Sequence, residues 1–124
     1  EIKRITEKTK SNTGLTLVLA LNYGSRREIT KAAKKISQDV KKGILDPERI
    51  DEKLFSEYLY TAGIPDPDMI IRPSGERRLS NFLLWQASYA ELWYSDILWP
   101  DFSRKDLIQA IREFQRRERR FGGL

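Results

Sequence analysis

Within ten residues, Arg72-Pro73-Ser74-Gly75-Glu76-Arg77-Arg78-Leu79-Ser80-Asn81 gathers three guanidinium groups and two hydroxyls in a stretch that its proline and glycine mark as a loop. Arginine forks meet phosphate oxygens in pairs, and the free amides of a short helix capped by Ser80 would favour the same charge. A diphosphate suits such a loop. A plainer reading also fits, in which the arginines face solvent, Ser80 is only a helix cap and Glu76 orients an arginine. Glu91 lies in Ser88-Tyr89-Ala90-Glu91-Leu92-Trp93, a carboxylate among aromatic and apolar residues. Carboxylates are rarely buried without a partner, so either an arginine or a metal would accompany it. Asp68 is a turn residue or another arginine partner. Arg112, Arg116, Arg117, Arg119 and Arg120 precede Phe121-Gly122-Gly123. Such a run is ordinarily a solvated helix face, but the two glycines would let the backbone approach an anion or a partner subunit closely.

The chain has no histidine and no cysteine. Serine–histidine triads, histidine acid–base chemistry, the usual zinc sites, disulfides and thiol nucleophiles are therefore excluded. Carboxylates, guanidinium groups, hydroxyls, backbone amides and a hard ion such as Mg²⁺ remain, an inventory suited to phosphates. The formal net charge of +5 is compatible with a nucleic acid, an acidic membrane surface or an anionic small substrate. No apolar run approaches the roughly 18 residues that would span a bilayer.

These groups need elements to hold them. At 124 residues, with 40% hydrophobic and 33% charged, the chain is expected to form one soluble domain over residues 1–124. Residues 1–13 read as a helix tail or solvated lead-in. Leu15 to Leu21 is nearly all apolar and stops at Asn22-Tyr23-Gly24, which predicts a strand buried on both faces. Ser25 and Glu28 have capping-box spacing ahead of Ile29, Ala32, Ala33, Ile36 and Val40, an amphipathic helix reaching Gly43. Asp51 would cap a second helix, and Asp68 to Ile71 reads as a short strand. A short helix is expected after Ser80 and a strand over Leu92 to Ser95. Ser103 and Asp106 form a capping box for the last helix. Trp85, Trp93, Trp99 and Phe102 are expected in the core. Alternating strands and helices imply an α/β fold with a parallel sheet and helices on both faces. Only three short strands can be counted, so the sheet looks incomplete.

Taken together, Arg72 through Gln86, Tyr89-Ala90-Glu91-Leu92-Trp93, Trp99-Pro100-Asp101-Phe102, Arg119 through Gly123 and Asn22-Tyr23-Gly24 resemble the C-terminal half of a bacterial cis-prenyltransferase of the undecaprenyl diphosphate synthase type. The resemblance runs from about Asn12 to Leu124. It implies sequential condensation of isopentenyl diphosphate onto an allylic diphosphate, usually farnesyl diphosphate, with cis double bonds. The product would be undecaprenyl diphosphate or a similar precursor of the cell-wall carrier lipid. It further implies that Arg72, Arg78 and Ser80, with the Leu79 backbone, bind isopentenyl diphosphate. Glu91 would be a Mg²⁺ ligand, and the segment of Arg120, Phe121 and Gly122 would reach across a homodimer to the partner's site. A cytoplasmic enzyme, at most peripheral at the inner membrane face, follows from the same likeness.

The sequence departs from that pattern in places. Arg77 stands where some members carry a metal-assisting histidine, and Pro73 and Ser74 replace Thr and Gly. The family's aspartate-glycine-asparagine motif is not found, nor are the strands and tunnel walls that accompany it. The chain alone is therefore expected to be inactive, and no catalytic residue is assigned within it. A non-catalytic partner subunit is the alternative, disfavoured by the intact arginine–serine signature. No nucleic-acid-binding motif is recognisable, and the basic residues are interspersed with acids.

Overall fold

The computed structural model describes residues 1–118. Helix α1 spans Ile2–Thr9, α2 Ser25–Lys41, α3 Glu52–Glu57 and α4 Arg104–Gln115; strands β1 and β2 are Met69–Arg72 and Glu91–Tyr94. The strands pair in parallel, Met69 opposite Glu91 and Arg72 opposite Tyr94. The class is α/β with a parallel sheet, as the alternation of elements predicts.

Local chemistry explains most element ends. α2 buries Ala32 and Ile36 along one stripe and stops where Gly43 turns left-handed, at φ 70°, its amide bonding the Val40 carbonyl at 2.9 Å. Asp51 caps α3 by accepting from the Leu54 amide at 2.7 Å. The expected capping box opens α4, with the Ser103 amide and hydroxyl donating to Asp106 Oδ2 at 2.8 and 2.5 Å. α2 and α3 are tied where the Tyr58 hydroxyl donates to Asp39 at 2.9 Å. Trp85 packs against Phe55 with the rings tilted by 39° and their centroids 4.5 Å apart, and donates to Ser56 Oγ at 3.0 Å. Trp93 is buried and donates to Glu113 at 2.7 Å, fastening α4 to β2.

Four expectations are corrected. Leu15 to Leu21 forms no strand, and Leu15 and Leu17 are 95% and 75% exposed. A strand exists only as part of a hydrogen-bonded ladder, and β1 and β2 pair only with each other among the described residues. Ser25 and Glu28 make no capping box; the N-cap is Gly24, and both side chains are buried in tertiary contacts. The helix expected after Ser80 is instead a series of turns in which Ser80, Asn81 and Leu83 are left-handed, at φ 48°, 65° and 47°. Trp99 is not core: it is 68% exposed, stacked on Phe102 at 5.7 Å above the turn made by Pro100.

Candidate functional site

β1 ends at Arg72, and the chain then turns through Ser74 and Gly75, both left-handed at φ 77° and 71°. This turn is laced to the segment after β2: the Ser74 amide donates to the Ile97 carbonyl at 2.7 Å and the Gly75 amide to Ser95 at 2.8 Å. The loop thereby returns across the end of its own strand. Arg72 Nη1 donates to the Arg78 carbonyl and, at 3.1 Å, to Ser80 Oγ. A guanidinium has five N–H donors, so the others stay free for an anion after these bonds fix its direction. Arg78 pairs with Glu76 in an exposed ion pair, the orienting role expected for that glutamate.

Arg72, Arg78 and Leu79 line one small cleft of about 140 Å³ together with Ile71, Phe82 and Tyr94. A second cavity, about 430 Å³, lies elsewhere and is mostly apolar, with Val18, Leu19, Tyr60 and Ile64 in its wall. Phe82 lines both. Cationic donors and an apolar hollow thus share one aromatic residue in their walls.

Glu91 is placed apart from these arginines. It opens β2 opposite Met69, three residues back from the Arg72 level, or about 10 Å at the usual rise per strand residue. Its Oε2 meets Arg117 Nη1 at 2.6 Å, and Arg117 also donates to the Leu92 carbonyl at 3.1 Å. Of the two partners open from sequence, the structure supplies the arginine. Arg117, read as part of a solvated basic face, is the residue that provides it. The described residues include no group of three or more carboxylates able to hold a metal ion, and one paired carboxylate does not make a Mg²⁺ site. Arg120 and Gly122 lie outside the described residues.

Glu28 is the residue that sequence reasoning missed. It is 1% exposed on α2 and accepts from the Tyr23 hydroxyl, from the Tyr60 amide at 2.7 Å and from Gln86 Nε2 at 3.3 Å. Burial, then the bond to Glu28, raises the Tyr23 phenol above its ordinary pKa. Tyr23 in turn meets Phe82 edge-on, with centroids 5.8 Å apart. Capping-box spacing hid this role because Ser25 and Glu28 are three apart in either case.

Comparison with known proteins places these features. A family model described as putative undecaprenyl diphosphate synthase matches residues 1–122. An isoprenyl transferase of Clostridium perfringens is 60% identical over 118 residues, covering 95% of this chain and 47% of that protein. The ditrans,polycis-undecaprenyl-diphosphate synthase of Micrococcus luteus is 56% identical over 118 residues, with the same coverages of 95% and 47%. Among solved structures, lavandulyl diphosphate synthase from Lavandula x intermedia, in complex with dimethylallyl diphosphate, superposes with a TM-score of 0.93 at 41% identity, covering 98% of this chain and 52% of that one. A probable undecaprenyl diphosphate synthase of Campylobacter jejuni gives 0.81 at 38% identity, covering 98% and 54%. The chain spans about half the length of the relatives it matches. Likeness this close, carried over nearly every residue of the chain, means that it belongs to the undecaprenyl diphosphate synthase family of cis-prenyltransferases.

Proposed function

We propose that this chain carries the isopentenyl diphosphate site of a cis-prenyl chain elongator, which condenses that substrate onto an allylic diphosphate such as farnesyl diphosphate to make undecaprenyl or a similar polyprenyl diphosphate. The observation that carries the reading is the Arg72 guanidinium, held by the Arg78 carbonyl and Ser80 Oγ at the carboxyl end of a parallel strand. Ligands collect at such strand ends in open α/β sheets. Arg72, Arg78, Ser80 and the Leu79 backbone would take the phosphate oxygens. Phe82 would stand where the charged head gives way to hydrocarbon, since it lines both the cleft and the apolar cavity.

In the reaction the C–O bond of the allylic diphosphate breaks and the terminal alkene carbon of isopentenyl diphosphate bonds to the allylic carbon. One proton then leaves the adjacent methylene. Isopentenyl diphosphate keeps its own diphosphate throughout, so the task of Arg72 and Arg78 is to place the alkene rather than to stabilise a leaving group. Mg²⁺ is the proposed cofactor of the whole enzyme. Within this chain Glu91 offers it one carboxylate, paired with Arg117, and the placing of the alkene by Arg72 and Arg78 does not call on the metal. A homodimer with the Arg120–Gly122 segment reaching the partner's site, and a cytoplasmic location at most peripheral to the inner membrane face, belong to the same proposal. No described helix is long and apolar enough to cross a membrane.

The test is kinetic, in the full-length enzyme. Arg72→Ala and Arg78→Ala each remove charge-assisted hydrogen bonds worth about 1.5–3 kcal/mol, so KM for isopentenyl diphosphate should rise roughly 10- to 100-fold. Unchanged kinetic constants for that substrate would overturn the assignment. A non-catalytic partner subunit would instead show no turnover with its own N-terminal half and would copurify with a distinct catalytic chain.

A further inference from the structure

Left-handed backbone is uncommon outside glycine and persists in neighbouring residues only where the surroundings dictate it. Ser80 and Asn81 are consecutive left-handed residues, and Leu83 follows. Contacts with the start of α2 dictate this shape. The Asn81 carbonyl accepts from the Ser25 amide at 2.9 Å, and Asn81 Oδ1 accepts from the Arg26 amide at 2.8 Å. From the other side, Ser25 Oγ, fully buried, accepts from the Leu84 amide at 2.9 Å. A helix leaves its first amides without internal partners, and α2 finds acceptors for two of them on a residue 55 positions from Arg26. The fit is close: a Cβ on Gly24 would lie 2.8 Å from Asn81 Nδ2.

We infer that Asn81 is a positioning residue for the anion loop. By filling the α2 N-terminus it holds Ser80 left-handed, and so keeps Ser80 Oγ at 3.1 Å from Arg72. Without its side chain, the Arg26 amide loses its acceptor, any residue less tolerant of φ 65° is strained at position 81, and Ser80 relaxes toward the right-handed region. Its hydroxyl then leaves Arg72 and the guanidinium loses its direction. Gly24 is the counterpart on the helix side: it is glycine because the amide of Asn81 occupies the space a side chain would need. The inference rests on the proposed isopentenyl diphosphate site, and its test separates the two.

In the full-length enzyme, KM for isopentenyl diphosphate and kcat are measured for Asn81→Ala, Asn81→Asp, Gly24→Ala, the Gly24→Ala/Asn81→Ala double variant and Arg72→Ala. Asn81→Ala is expected to raise KM about tenfold, more than it lowers kcat. Asn81→Asp keeps the acceptor facing the Arg26 amide and tolerates a left-handed backbone, so it should restore most of the affinity. Gly24→Ala should reproduce the Asn81→Ala effect. In the double variant its added cost should vanish, because the clashing amide is gone. If Asn81→Ala does not fold, Gly24→Ala decides by the same KM criterion, since it leaves Asn81 in place and only displaces it. A fall in thermal stability with KM unchanged, in either variant, overturns the inference. An unchanged KM in Arg72→Ala overturns the site assignment together with it. A raised KM in Arg72→Ala beside normal values in the other variants sinks the positioning role alone.

Discussion

Glu28 shows what one carboxylate does when it is buried and satisfied. Three donors, from Tyr23, Tyr60 and Gln86, converge on it from three separate segments. Truncation to alanine would strand those donors away from water, and each buried donor without a partner is costly. Glu28→Ala in the whole protein should therefore lower stability by about 3 kcal/mol or more, read from the denaturant midpoint at unchanged slope. Glu28→Gln, which sets an N–H against a donor, should fall between that variant and the native protein. Residue chemistry is legible in the sequence where a side chain acts on its near neighbours, as with Asp51 and the Leu54 amide. It is not legible at Glu28, whose partners Tyr60 and Gln86 lie 32 and 58 positions along the chain. The arginine beside Glu91, 26 positions away, is foreseeable as a type and not as Arg117.

Among the elements, α4 follows directly from its sequence. Its first turn is set by Ser103 and Asp106, and the Ser103 hydroxyl, followed by the Ser103 amide, holds the Asp106 carboxyl below its ordinary range. A carboxyl lowered in the folded state adds stability above its unfolded pKa, and that contribution is lost as pH falls through the folded value. Ser103→Ala should move the Asp106 titration upward, toward the ordinary carboxylate range, in a carbon-13 NMR pH series, and should shrink the acid-side dependence of stability. An unmoved titration would contradict the capping role. The segment after Ser80 misleads for a different reason. Ser followed by apolar residues is a helix-start pattern, but Ser80, Asn81 and Leu83 take left-handed angles that join the loop to α2, and propensity yields to such tertiary contacts. Loop composition shows that Arg72, Arg78 and Ser80 belong together. The hydrogen bonds that assemble them depend on a fold the loop does not encode by itself.

For the molecule as a whole, the main departure from sequence expectation is Leu15 to Leu21. Its apolar pattern is that of a central strand, yet strand identity is a property of neighbours, and the described residues supply none for it. The family relatives are about twice as long as this chain, and the apolar cavity walled by Val18 and Leu19 opens beside the same run. Amide exchange of residues 15–21 should be fast in the isolated chain and slowed by orders of magnitude within the full-length protein, where adjoining strands would pair with it. Equal rates in both would refute that pairing. The same seven residues carry no charge and no proline, are rich in leucine, and stand in the open. In colloidal terms this is a sticky template, able to recruit the matching run of another molecule into intermolecular β-structure. Prepared alone, the chain should precipitate with rising concentration, and a single charged gatekeeper such as Val18→Lys should keep it in solution.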